Sequence, residues 1–410
     1  MTFAATLRRP DLPAAPPLAR ALDLVAGIAL AAYGFLIPFS VAGTSVMLAV
    51  LLLLVLACAP RVWRSRPWRE PTMAIGLVLF AWIALHTLFL DRTLHSLRAP
   101  LVSYKELLLA PLLFALFRLC SRRGWFGGAL LAGTLLFAVA YWVGLFRPAF
   151  APQLMPHRIA ASFEFAVIAY LLLEGAPRAA RPWAWRAAAA FLALTLLFAM
   201  DGRTGQLVLV LMVMVIAWRQ VPRRWRIPAL LAVPVLASLV VLSSQPSQRR
   251  IAETAQAMQQ IPHEPYTSTA IRLELVRHGL TLAREHWLLG GGYNHYGALH
   301  QDAVRRAYGN DPQRRHLVDA FWARSVNPHD EYLMQLVGGG IVALALFLAW
   351  LAAPILRRRA DGTSSAALVG LVVAFAVGCL FNSLLLDFVE GHYYTALLAW
   401  LLAREAAPRA

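Results

Sequence analysis

Apolar side chains dominate this chain of 410 residues: 60% are hydrophobic and only 14% are charged. That composition excludes a soluble globular protein and predicts an all-α polytopic membrane protein, because helices satisfy their own backbone hydrogen bonds in lipid. The net charge of +17 comes almost entirely from Arg residues scattered between apolar runs. A nucleic-acid surface would gather them on one face, so we expect no nucleic-acid partner.

Apolar segments long enough to cross a bilayer recur along the chain and predict about twelve spans. They lie at 21–39, 43–59, 72–90, 101–117, 126–146, 159–174, 184–200, 204–218, 227–244, 331–353, 365–386 and 391–403. The short connection between the first two leaves open a helical hairpin in their place. We therefore expect three parts: spans one to nine in 1–244, a loop domain in 245–330, and spans ten to twelve in 331–410.

Arg clusters indicate the orientation in the membrane. They follow every even-numbered span, at 61–69, 118–123, 178–186, 218–226 and 357–359. The positive-inside rule then predicts that both termini are cytoplasmic and that the loop domain lies on the outer face. Because the N-terminal segment lacks an apolar signal core, we expect the first helix to act as an uncleaved insertion signal.

A second group of cations falls on the predicted outer side, where a topology signal would not place them. Its members are Lys105, Arg147, Arg158, Arg203 and Arg272. Any one of them can reach a lipid phosphate, which is the simplest explanation. Arg203 stands in the short turn DGRTG at 201–205, which is also an ordinary tight turn. Together they predict a site for a lipid-linked pyrophosphate.

The loop domain contains one clear helical pattern, which we expect to be capped by Ser268 or Thr269 and to be ended by the glycines at 290–292. Arg272 lies in its first turns. The pattern places Ile271, Leu275 and Leu282 on one face of the helix. The Gly-rich turn that follows is a weak indicator of phosphate binding.

The loop domain ends in Ser325-Val-Asn-Pro-His-Asp-Glu-Tyr-Leu333. We expect Asn327 to cap the next helix, with Pro328 at the first helical position and His329 and Asp330 in the first turn. His329 would then be a base fixed at the membrane surface. Asp330 either orients the imidazole or meets the helix dipole, and His329 alone is equally typical of a polar residue near a cap.

Rival chemistries find little support in the sequence. No His pair has the spacing that places two metal ligands on one helical face, and the three Cys have no paired spacing. There is no Gly-x-Ser-x-Gly and no phosphate-binding loop of nucleotide hydrolases. We therefore expect no metal and no cofactor, with the reaction energy arriving in an activated substrate.

In three motifs the chain resembles the O-antigen ligases and the related O-antigen polymerases and protein O-oligosaccharyltransferases. They are GRTG with Arg203, IRLEL with Arg272 followed by GGGYNHYG, and PHDEYL with His329. The predicted layout, with a large loop between spans nine and ten, also fits. One departure is Asp330, where the family commonly has Asn after the His, which leaves the role of His329 intact.

This resemblance implies an inverting, metal-independent GT-C glycosyltransferase of the bacterial inner membrane. It would move a glycan from undecaprenyl pyrophosphate to the lipid A-core oligosaccharide on the periplasmic face. His329 would be the base. The pyrophosphate would be bound by Arg203 and Arg272 together with Lys105, Arg147 and Arg158. Two alternatives remain open: an O-antigen polymerase, and a transporter or flippase of an anionic lipid.

Overall fold

A computed structural model describes residues 17–147, 149, 154, 158–200, 202–243, 248, 252, 255, 268–357 and 365–406. In this part of the chain every regular element is a helix, and no strand occurs. Six of the described helices are long and apolar enough to cross a membrane, or up to eight if each of two bent pairs is one span. The chain is therefore an all-α polytopic membrane protein, as the composition predicts.

We number the sixteen α-helices of the described residues in chain order. They are α1 Pro17–Leu36, α2 Val41–Ala57, α3 Ala59–Ser65, α4 Pro71–Asp91, α5 Arg98–Ser103, α6 Lys105–Leu119, α7 Gly124–Phe146, α8 Arg158–Gly175, α9 Pro182–Leu194, α10 Arg203–Gln220, α11 Arg226–Ser243, α12 Ser268–His286, α13 Tyr296–Tyr308, α14 Glu331–Leu356, α15 Ala366–Gly378 and α16 Phe388–Glu405.

Each predicted apolar segment coincides with one of these helices, but two differ in form. The predicted segment 101–117 is bent by 59° where α5 meets α6. The predicted segment 365–386 is helical only as far as Gly378, where α15 ends. The remaining residues up to Asp387 form turns that lead into α16, and the chain there carries polar side chains to the site described below.

Close packing of long helices forms the body of the protein. α1 lies against α7, α8 against α10, α6 against α16, and α4 against α14. From the loop domain, α12 packs on α14 and α13 packs on α12. The predicted helix from Ser268 is confirmed, with Leu275 and Leu282 buried. Both suggested capping residues lie inside that helix, and the residues preceding Ser268 lie outside the described part of the chain.

The Gly-rich turn after α12 docks on a break in α14. The amides of Gly291 and Gly292 donate to the carbonyls of Val337 and Gly338, at 2.7 and 3.0 Å. α14 is kinked at Gly340, whose φ of +72° favours glycine. Those two amides are already used between backbones and are therefore not free to bind phosphate. The turn instead attaches the loop domain to a membrane helix.

Candidate functional site

His329 lies in a tight turn just before α14. The Asn327 side-chain oxygen accepts a hydrogen bond from the His329 amide at 2.8 Å, and His329 has a left-handed φ of +53°. Asp330 caps α14, since its carboxylate accepts from the Leu333 amide at 2.9 Å. The prediction that Asn327 is the cap is therefore wrong, because its side chain is engaged in the turn and also accepts from the Ser383 hydroxyl. Because Asp330 is the cap and the helix begins at Glu331, His329 precedes the helix and does not lie in its first turn as predicted.

The imidazole of His329 is held by two residues from the turns that precede α16. Its Nδ1 lies 2.8 Å from Oδ1 of Asn382, and the Asn382 Nδ2 donates to the carboxylate of Asp387. An ionised carboxylate only accepts, so the amide nitrogen faces Asp387 and the amide oxygen faces the ring. Nδ1 must then carry the proton. Nε2 is left with the lone pair, which is what a base requires.

The two carboxylates that follow His329 in the sequence act on the backbone and not on the ring. Asp330 caps α14, and Glu331 accepts from the Leu385 amide at 3.1 Å. The Glu331 amide also donates to the carbonyl of Cys379 at 2.8 Å. Glu331 thereby fixes the turns that carry Asn382, and the alternative in which Asp330 orients the imidazole by a direct hydrogen bond is wrong.

His329 is poised to be neutral. Burial lowers the pKa of His329 below its ordinary value, the hydrogen bond to Asn382 acts in the opposite direction, and the charge of Arg272 lowers it further. A neutral imidazole at neutral pH is the state that can accept a proton. Burial raises the pKa of the Asp387 carboxyl, whereas the Asn382 amide and the positive charge of Arg272 oppose that rise.

Arg272 is a half-buried cation whose charge acts on His329. Burial lowers the pKa of Arg272 from its ordinary value, and so do the positive charges of Arg203 and Arg158, while Asp387 acts in the opposite direction. The guanidinium nevertheless stays charged in proteins. Arg158, Arg203 and Arg272 come from three helices, and the charges of Arg158 and Arg203 act on Arg272, which in turn acts on His329.

Arg203 begins α10 and reaches the loop domain. Its Nη1 donates to the Thr269 hydroxyl at 2.6 Å. Thr269 and Arg272 are three residues apart on α12 and so lie on one side of that helix. α10 approaches α8 so closely at Gly205 that an added Cβ would lie 2.3 Å from the Ser162 carbonyl oxygen. This contact explains the second glycine of GRTG and brings Arg203 beside the start of α8, where Arg158 lies.

Lys105 and Arg147 stand in different surroundings. Lys105 forms an ion pair with Glu106 at 3.1 Å, and its Nζ lies 5.1 Å from the ring centre of Phe388, next to Asp387. It therefore borders the site with its charge already paired. Arg147 lies exposed just after α7, and no contact with the described residues ties it to His329. Within those residues, His, Cys, Asp and Glu form no group of three that could hold a metal ion.

Sequence reasoning missed Asn382 and Asp387. Both follow α15, in a stretch whose apolar neighbours led us to extend the eleventh span to residue 386. An available signal was the polar pair Asn382 and Ser383 inside a predicted span, since polar residues at that depth are costly and often functional. The sequence alone gave no sign that these turns fold back onto His329.

A family model described as O-antigen ligase matches residues 188–348. This match supports the O-antigen ligase family, as the three motifs predict. The match runs from α9 into α14 and includes Arg203, Arg272 and His329. Lys105, Arg147, Arg158, Asn382 and Asp387 lie outside it. No curated protein matches the chain. The family assignment supports membership of the O-antigen ligase and polymerase superfamily, and with it a glycosyltransferase-like enzyme.

Proposed function

We propose that this protein is an O-antigen ligase: an inverting, metal-independent glycosyltransferase of GT-C type. It moves a glycan from undecaprenyl pyrophosphate to a sugar of the lipid A-core oligosaccharide. One observation carries the proposal: the imidazole oriented through Asn382 and Asp387 feels the charge of Arg272, which in turn feels those of Arg203 and Arg158. A base and an anion site are the two parts that this reaction needs.

The proposed reaction is a single displacement. Nε2 of His329 takes the proton of the acceptor hydroxyl while that oxygen attacks the anomeric carbon. The bond from that carbon to the pyrophosphate oxygen breaks on the opposite side, and the electron pair leaves with the lipid pyrophosphate. Arg203 and Arg272 stabilise the leaving group with charge-assisted hydrogen bonds. Their planar guanidinium groups can each face two phosphate oxygens.

We further propose the bacterial inner membrane as the location, with about twelve spans, both termini in the cytoplasm and His329 on the periplasmic side. The proposed periplasmic loop domain covers 245–330, between the membrane parts 1–244 and 331–410. The proposed orientation is based on the two ends of α6. Lys105 at its start borders the site, and Arg118 near its end belongs to a basic cluster. Membrane-impermeant thiol labelling should modify Asn310→Cys and spare Arg223→Cys, both exposed positions, in a background without native Cys. The reverse pattern would contradict the orientation.

A reconstituted reaction tests the activity. The purified protein is incubated with undecaprenyl-pyrophosphate glycan and rough lipopolysaccharide, and the expected product is lipopolysaccharide with a ladder of added glycan. The anomeric configuration of the new bond should be opposite to that of the donor. A longer glycan still attached to undecaprenyl pyrophosphate would identify a polymerase instead. Movement of lipid-linked glycan across vesicles with no new glycosidic bond would identify a transporter.

A further inference from the structure

A cavity of about 330 Å³ lies at the end of the helix bundle away from His329. Its lining includes Phe114 and Arg118 near the end of α6, whereas Lys105, which borders the candidate site, begins that helix. Thirteen residues of helix separate the two positions, or roughly 20 Å. The cavity is therefore separate from the site described above.

The cavity has a large excess of positive charge. Its charged lining residues are Arg64, Arg66, Arg69, Arg118 and Glu70. Glu70 already pairs with a further arginine, Arg357, at 3.5 Å. Among the described residues, Arg64, Arg66 and Arg69 form no ion pair. Arg118 contributes a long contact, 3.4 Å, to a backbone carbonyl. Four guanidinium groups thus converge on one volume that Glu70, the one carboxylate among the described lining residues, shares with Arg357.

Arg66 occupies a backbone position that normally favours glycine. It follows α3 with a φ of +47° and a ψ of +56°, the left-handed conformation. Helices commonly end on glycine in this conformation because a Cβ is strained there. An arginine held in that conformation keeps a guanidinium at the cavity at the cost of local strain, and such strain is typical of functional positions.

The aromatic residues in and near the cavity are of the kind that contact lipids at the membrane surface. Trp63 is 71% exposed and lies 4.6 Å, ring centre to ring centre, from Trp68. Exposed tryptophans are typical of the level at which the bilayer meets water. Phe114 adds an apolar wall to the same cavity. A ligand with a phosphate and an adjoining apolar part matches these neighbours better than a fully hydrated small anion does.

We propose that this cavity binds the phosphate diester of an anionic membrane lipid. The simpler explanation is that the arginines serve only as a topology signal. A topology signal depends on how many charges follow a span, and not on which of them face a shared cavity. The two explanations differ for Arg61 and Arg64. Both are exposed on α3, but only Arg64 lines the cavity.

The experiment measures binding of fluorescent phosphatidylglycerol to the full-length protein in zwitterionic detergent by anisotropy. Arg64→Gln and Arg66→Gly should each raise the Kd about fivefold, the effect of one basic residue near an anionic membrane surface. Arg66→Gly suits the left-handed backbone, so its thermal unfolding midpoint should not fall. Arg61→Gln, which removes the same charge from the same helix, should leave the Kd unchanged. Fluorescent phosphatidylcholine should bind weakly to all four proteins.

Two results would overturn the proposal. Equal weakening by Arg61→Gln and Arg64→Gln would show that only the general surface charge matters. Displacement of the lipid by millimolar inorganic phosphate would show that the cavity holds a soluble anion and not a lipid head group. Because the assay measures lipid binding and not glycan transfer, its outcome is independent of the proposed ligase activity.

Discussion

A sharp prediction concerns Asn382, because its amide connects His329 to Asp387. Asn382→Ala removes the acceptor of the His329 Nδ1 proton. The net loss of such a hydrogen bond is worth about 0.5 to 1.5 kcal/mol, or about 2- to 13-fold in the population of the oriented ring. In the variant the proton can also move from Nδ1 to Nε2. Nε2 then has no lone pair to accept a proton, and that tautomer cannot act as the base.

We therefore expect glycan transfer by Asn382→Ala to fall by at least about 2- to 13-fold, and further as rings change tautomer. The upper limit is the whole general-base contribution, on the order of 10⁴. Asn294→Ala is the matched control, since Asn294 also donates to a carboxylate, that of Asp91. It also donates to the Ser96 carbonyl, and neither contact involves the imidazole, so the rate of this variant should stay near that of the wild type.

Asn382→Asp gives a second readout that a merely structural role would not change. A carboxylate beside the ring favours the charged imidazole and raises the pKa of His329. The base must be neutral, so the acid limb of the pH–rate profile should move to higher pH. In the wild type that limb should lie below about 6.5, the ordinary pKa of His, because burial and Arg272 lower the value. A folded Asn382→Ala protein with the wild-type plateau, together with an unmoved limb in Asn382→Asp, would refute the reasoning.

Three further variants test the other parts of the site. His329→Ala should lower transfer by about 10² to 10⁴ while donor binding persists, as measured by single-turnover kinetics, and chelators should leave the wild type active; loss in chelator that added metal restores would implicate a metal. Arg203→Ala should cost about 1.5 to 3 kcal/mol of donor binding and Arg203→Lys should rescue it poorly, whereas Arg223→Ala should have no effect; equal donor affinities would remove Arg203 from the anion site. Gly205→Ala should lower both the unfolding midpoint, by overpacking worth about 1 to 3 kcal/mol, and transfer, whereas Gly128→Ala, where a Cβ meets open space, should not; wild-type behaviour of Gly205→Ala would contradict the close helix contact.

The sequence was sufficient for those parts of the site that lie in short motifs next to helix ends. Arg203, Arg272 and His329 each stand where an apolar run meets a polar segment, and hydrophobicity locates such boundaries well. The predicted topology also placed all three on the outer side of the membrane, so they were expected to lie near one another. What the sequence could not provide was the contact that orients the imidazole.

That contact depends on how a non-helical segment folds. From residue 379 to Asp387 the chain is apolar enough to be taken as the end of a span, yet hydrogen bonds to Glu331 hold it as turns. Contacts between residues far apart in the sequence also explain why the cap of α14 was wrongly predicted at Asn327. Asn327 and Asp330 are both good capping residues, and the choice between them depended on a contact with Ser383 that lies far away in the sequence.

The positive charge beside His329 serves both parts of the proposed mechanism. Before the donor binds, burial and, to a lesser extent, the charge of Arg272 lower the pKa of His329 and favour the neutral ring. A pyrophosphate bound at Arg272 and Arg203 would cancel much of that positive field. The pKa of His329 would then rise, so the ring would become a stronger base only once the donor is in place. The later loss of charge with the departing lipid pyrophosphate would restore the field and favour release of the proton. The ring would thereby return to its neutral state for the next turnover.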